Sequence, residues 1–170
     1  LGELRAELRR VDYKGQTALM YAICQRSKCA NMLLEEAGVE DATKRCALYY
    51  AIFHNRTELY PVLEAEFGML VGFFKNHQEG TLLMFLARCN CVHFIGRCMH
   101  EAGQLDELLE SALYKAVKHN AYDAAKYLSC YEGELPTKNA VINWAIKNNN
   151  FQMFMLLLRL VGKEQIPEML

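Results

Sequence analysis

Between Cys89 and His100 the chain crowds side chains that bind metals or attack carbon: Cys89, Cys91, His93, Cys98 and His100. Zinc takes four nitrogen or sulfur ligands in a tetrahedron, and this segment offers enough of them. Its C-x-C step, however, is tighter than the C-x2-4-C spacing usual for zinc. Cys98 also falls where the chain's periodicity places a core leucine. A nucleophilic thiol needs a lowered pKa and a positioned base, and nothing nearby fixes either. These cysteines are read as small buried hydrophobes, with no metal and no catalytic residue assigned. Asp106, Glu107 and Glu110 offer acid–base chemistry, but they fall at the start of a helical stretch, Gln104–His119, where carboxylates favour the helix dipole. No Gly-rich phosphate loop, HExxH, GxSxG or kinase signature occurs. The expectation is no enzyme, no cofactor and no small-molecule substrate.

Composition narrows the rest. Lys and Arg number 19 against 20 Asp and Glu, for a net charge of -1, whereas nucleic-acid binders carry a basic excess. Hydrophobic residues make up 52% of the 170, enough for a core. The longest apolar-rich piece, Phe67–Phe74, is far short of the roughly 18 residues a membrane helix needs. Seven cysteines, an odd number with no signal peptide upstream, fit a reduced, cytoplasmic protein.

The elements that must position everything else repeat. Aligned on Ala22, Ala51, Ala87, Ala116 and Ala145, the chain reads TALMYAI, CALYYAI, LLMFLAR, SALYKAV and AVINWAI. Each copy is followed by a polar break and a second apolar stretch, with anchor spacings of 29, 36, 29 and 29. Each unit reads as a hairpin of a short first helix and a second helix with apolar residues at i, i+3 and i+4, as in Ala30, Leu33 and Leu34. One hairpin cannot bury its apolar face alone, but stacked hairpins can.

Gly15-Gln16-Thr17-Ala18-Leu19-Met20-Tyr21-Ala22, then Leu33-Leu34 and Ala37-Gly38, resembles an ankyrin repeat. The style also resembles ankyrin arrays of protists, some of which carry a NIMA-related kinase domain. The family's proline is replaced by Ala18, Ala47, Leu83, Ala112 and Val141. Its Gly-His turn becomes Arg26-Ser27, Asn55-Arg56, Cys91-Val92, Asn120-Ala121 and Asn149-Asn150. A tetratricopeptide unit would need a Trp-Leu-Gly-Tyr helix and a terminal proline, which are missing. The resemblance implies an all-α solenoid of helical hairpins with short loops and little or no β-structure. It implies one domain over 1–170, with repeats at about 15–38, 44–68, 80–103, 106–131 and 137–161.

It also implies a scaffold that binds another protein on the concave face of its first helices and loops, without nucleic acid or membrane insertion. Projected onto this chain, that face selects Tyr21, Gln25, Tyr50, His54, Leu86, Asn90, Lys115, His119, Trp144 and Asn148. The alternative is a targeting or regulatory segment of a larger enzyme such as a protein kinase.

Several local expectations complete the reading. Leu1–Val11 forms an amphipathic helix, as a cap or a truncated repeat. Thr17 caps the first unit, and Pro61 sits in the first turn of a helix or bends it. Phe67–Gly80 departs from the repeat and either packs between hairpins or forms an exposed apolar finger. Gly133–Thr137 makes a turn, and Arg159, Gly162 and Lys163 close the last helix. The tail Gln165–Leu170, more chain or a partner covers that helix's apolar face.

Overall fold

A computed structural model of the chain describes residues 9–76, 80–132 and 138–161. Contacts cluster into two compact units, Leu1–Gln78 and Glu79–Leu170. The first holds helix α1 (Ala18–Cys24) with 3-10 turns Lys28–Met32 and Leu34–Glu36. Next come α2 (Ala47–Phe53), a turn at Thr57–Leu59, α3 (Tyr60–Leu63), a turn at Glu64–Glu66, and α4 (Phe67–Asn76). The second unit holds α5 (Leu82–Arg88), α6 (Val92–Ile95) with turn Gly96–Glu101, and α7 (Ala112–Lys118) paired with α8 (Tyr122–Glu132). It ends with α9 (Lys138–Lys147) and α10 (Phe151–Val161). No strand occurs among the described residues.

The first helices are short because both ends are fixed by sequence. Thr17, Thr81 and Ser111 cap three of them, each hydroxyl accepting the N–H three residues on at 3.3 Å. At the far end one residue turns left-handed: Arg26, Asn55, Asn90, Asn120 and Asn149, all with φ between 52° and 56°. The next N–H then reaches back to the carbonyl five residues earlier, as in Ser27 to Ala22 and Ala121 to Ala116, both 2.8 Å. This is the Schellman closure. Asparagine tolerates the left-handed region better than other residues with side chains, so four copies dispense with glycine.

Arg26 has no such tolerance. Arg26→Asn is expected to raise stability by about 0.5–1 kcal/mol by relieving that strain, read in urea melts. It should also lift the His54 pKa, which burial and then Arg26 and Arg56 now hold low.

The closure corrects the register of the third repeat. Cys91 N–H bonds Leu86 O at 2.9 Å, so Leu86, not Ala87, occupies the packing position, and the turn is Asn90-Cys91 rather than Cys91-Val92. Three other expectations change. The second segment of the first repeat is 3-10 rather than α, with Ala30 buried but Leu33 and Leu34 only half-buried. Gln104–His119 is not one helix, because Leu109 turns left-handed at φ 59° and the helix begins at Ala112. The helix expected over Leu1–Val11 does not cover the last residues of that range: Arg9 is left-handed at φ 66° and Val11 is exposed. Leu1–Leu8, the turn at 133–137 and residues 162–170 of the chain's end lie outside the described residues.

Phe67–Asn76 is a helix packed on α2, with Leu70, Phe73 and Phe74 buried and the Phe73 ring 5.6 Å from that of Tyr49, edge-on. That is packing, not an exposed finger. Pro61 lies in the first turn of α3, where its missing N–H costs nothing.

Glutamates tie the hairpins together. Glu132, 1% exposed, accepts the Leu113 N–H at 2.7 Å from the start of α7 and the Gly103 N–H at 3.0 Å from the end of the preceding repeat. Glu66 does the same for Leu48 and Gly38, both 2.6 Å. Glu36 takes Leu19 at 2.7 Å and Arg9 at 3.3 Å, and Glu101 takes Leu83 at 2.8 Å. Each carboxylate satisfies an orphan N–H of a helix start.

Candidate binding surface

A second recurring acid shapes the surface. In three repeats an aspartate opens the loop before the first helix, and its Oδ1 accepts two loop N–H groups. Asp12 takes Lys14 and Gln16 at 2.9 and 2.8 Å. Asp41 takes Thr43 and Arg45 at 2.7 and 3.0 Å, and Asp106 takes Leu108 and Glu110 at 2.9 Å each. The fourth loop residue is left-handed in all three: Gly15, Lys44 and Leu109. These are the short loops expected, closed by backbone bonds such as Asp41 N–H to Arg45 O at 2.9 Å.

Each aspartate's Oδ2 then holds the first helix. It accepts the Tyr21 hydroxyl at 2.8 Å from Asp12, the Tyr50 hydroxyl at 2.5 Å from Asp41, and the Lys115 ammonium at 2.6 Å from Asp106. The three donors stand nine residues after their aspartates. Side chains expected to meet a partner therefore spend their polar tips on their own loops.

The consequences differ by residue. Tyr21 stays 44% exposed, and its hydrogen bond to Asp12 raises its pKa. Tyr50 is buried and accepts from Gln16 Nε2 at 2.9 Å as well; burial and then Asp41 push its hydroxyl up to about 12. Lys115 is half-buried between Asp106 and Glu110, and Glu110 also takes Lys118 at 2.8 Å. Burial works against its charge, but the two carboxylates hold its pKa above the ordinary value. Leu86 is 0% exposed. Tyr50 and Leu86 are thus corrections: one is committed to a buried hydrogen-bond pair, the other fills the packing position.

The remaining expected residues offer more surface. Gln25, His119 and Asn148 are exposed, while His54 and Trp144 are half-buried. Asn148 Nδ2 bonds the Trp144 carbonyl at 2.8 Å. Asn90 is exposed but employed: its Oδ1 accepts the Ala124 N–H at 2.9 Å and its Nδ2 donates to Asp123 at 3.2 Å. Exposure missed by the sequence reading lies on the loop tips. Tyr13 is 89% exposed, Leu108 72% and Leu109 70%.

The carboxylates that fasten the loops make stability pH-dependent. Burial alone would push Asp41 up, but the Tyr50 and Thr43 hydroxyls and the Arg45 and Thr43 N–H groups hold it below its ordinary value. Asp106 and Glu110 are also lowered, because Lys115 outweighs burial. A carboxyl with a depressed folded pKa stabilises the fold above its unfolded value and loses that contribution as pH falls through the folded one. Stability is expected to drop between about pH 5 and pH 3. Asp41→Asn should be less stable at pH 7 and flatter below pH 5, as followed by circular dichroism.

Burial makes two of the cysteines poor nucleophiles. Burial, then Glu66, pushes the Cys46 thiol up to about 12, and burial, then Glu101, does the same for Cys98. Cys91 is buried while His93 and His100 are exposed. No group of three metal-binding side chains converges among the described residues, and none of the seven cysteines is in a disulfide. No helix among those residues is long and apolar enough to cross a membrane.

Short Schellman-closed first helices, turned-back second segments and aspartate-held loops define a helical-hairpin repeat protein. A family model described as ankyrin repeats (3 copies) matches residues 3–66 of the 170, and ankyrin repeats are modules that generally bind other proteins. Comparison with curated proteins and with solved structures gave no match. Residues 80–132 and 138–161 lie beyond the matched segment yet use the same caps, turns and buried glutamates.

Proposed function

We propose that the chain is a non-enzymatic interaction module that holds a partner protein against its loop tips and the exposed edges of its first helices. The observation that carries this is the exposure of Tyr13, Leu108 and Leu109 on loops whose aspartates bind both loop N–H groups and the first helix. Large apolar side chains on a fixed, solvent-facing tip mark contact sites, and fixing them beforehand lowers the entropy of binding. Leu109 is left-handed where the equivalent loop uses Gly15, so the tip keeps a leucine at a cost of about 1–2 kcal/mol.

Tyr13→Ser, Leu108→Ser and Trp144→Ala are each expected to change stability by less than about 0.5–1 kcal/mol while weakening retention of the native partner at least several-fold. Stability loss above about 3 kcal/mol would mark the side chain as core. Unchanged retention in all three would contradict the proposal.

A further inference from the structure

Five carboxylates described in the Glu79–Leu170 unit are engaged within it. Glu101 and Glu132 hold backbone N–H groups, Asp106 and Glu110 hold Lys115 and Lys118, and Asp123 takes the Asn90 amide. Basic side chains remain on its surface, and three share one register position, two residues past the packing position of the first helix: Arg88, Lys118 and Lys147. Helices α5 and α7, and α7 and α9, are neighbours. At about 8–10 Å between packed axes, the ladder places one basic side chain per repeat, the middle one, Lys118, shared with Glu110. Burial, then Arg88, Lys118 and Lys115, holds the His119 imidazole below its ordinary value, so the ladder surrounds that exposed ring.

Cations in a last turn also offset the helix dipole, but the equivalent positions in the other unit are Cys24 and Phe53. Helices α1 and α2 end in the same turn without a charge there. Helix termination does not require the ladder.

We propose that Arg88, Lys118 and Lys147 form a docking strip for an extended acidic segment of a partner protein, with carboxylates three residues apart. An extended segment in the polyproline II conformation has three residues per turn and rises about 3.1 Å per residue, so every third side chain falls on one face at a step of about 9 Å. The net charge of -1 over the whole chain argues for a local acidic peptide over a phosphate backbone. The inference rests on the protein-binding reading and names the chemistry of the bound segment.

The test is fluorescence anisotropy on the full chain. Three probes are used: a labelled peptide of about twelve residues with Glu at every third position, its Gln counterpart, and single-stranded RNA of equal charge. The Glu peptide is expected to bind at low salt and to weaken several-fold as ionic strength passes about 0.3 M. Arg88→Gln combined with Lys147→Gln should lower its affinity on the order of ten-fold; Lys118 is left in place because Glu110 holds it. Addition of the Glu peptide should raise the His119 pKa measured by NMR, which a purely structural role for the ladder would not do. Equal binding of the Gln peptide, unchanged affinity in the double variant, or RNA binding as tight as the Glu peptide's would overturn the proposal. A protein cross-linked at the loop tips alongside a Glu peptide that fails to bind would remove this inference alone. No cross-linked protein at all would remove the reading beneath it.

Discussion

Replacing Glu132 with alanine is expected to lower the free energy of unfolding by about 3–5 kcal/mol. Its two oxygens accept N–H groups from Leu113 and Gly103 at a site that is 1% exposed. Hydrogen bonds to a charged group contribute about 1.5–3 kcal/mol each, and an orphaned buried donor costs about 1–3 kcal/mol. A typical domain has only about 5–15 kcal/mol in total, so the loss is a large share. Glu132→Gln keeps one acceptor but turns an NH2 toward the second N–H, and should lose about half as much. Glu101, which accepts the Leu83 N–H from α5 and whose side chain is 20% exposed, should lose less than Glu132 when replaced by alanine. Urea denaturation of the full chain measures all three. A Glu132→Ala loss under about 1 kcal/mol would mean that water replaces the clasp at little cost.

Gly15→Ala is the second large effect. Gly15 sits at φ 73°, and a Cβ there would lie 2.6 Å from the Ala42 nitrogen and 3.1 Å from the Asp41 carbonyl carbon. Both are backbone atoms of the next loop, which is held because the Ala42 N–H bonds Lys14 O at 2.9 Å. The left-handed conformation costs a side chain about 1–2 kcal/mol, and forcing the loops apart adds about 1–3 kcal/mol. The expected loss is about 3 kcal/mol, with the Ala42 amide gaining hydrogen exchange. Gly38 provides the contrast: it is also left-handed, at φ 86°, but open space surrounds its missing side chain. Gly38→Ala should therefore show the conformational part alone. Equal losses at the two positions would rule out the close approach at Gly15.

Much of the fold was legible because its signals are local. The repeated alanine step, the hydroxyl at Thr17 and Ser111, and Pro61 at a helix start each act within one turn of chain. The buried character of Cys91 and Cys98 followed from their apolar neighbours. The third repeat misled because Ala87 follows Leu86, and periodicity alone could not choose which one packs; the turn at Asn90 decides it. Leu109 broke an apparently continuous helix by a left-handed turn that leucine rarely adopts.

The surface was less legible. Tyr21, Tyr50 and Lys115 shared a register position with an evident role, but their hydrogen bonds run to aspartates nine residues earlier, a pairing that no helical period suggests. The Asp…Tyr/Lys spacing recurs at 12 and 21, 41 and 50, and 106 and 115, so the signal was present as a repeat of polar residues. The glutamates at 36, 66, 101 and 132 were hidden for a similar reason: each reads as an exposed helical charge until the fold brings a helix start against it.

The most direct measurement is site-specific photo-cross-linking in the cell of origin, with the photoreactive side chain placed at position 108 on the loop tip or at position 32. Met32 is 81% exposed but belongs to the second segment of its hairpin, the 3-10 turn Lys28–Met32, and so to neither a loop tip nor a first helix. A discrete protein adduct at position 108 and none at position 32 is the predicted result. Equal labelling at both positions, or an adduct only at 32, would contradict a binding surface built from the loops and first helices.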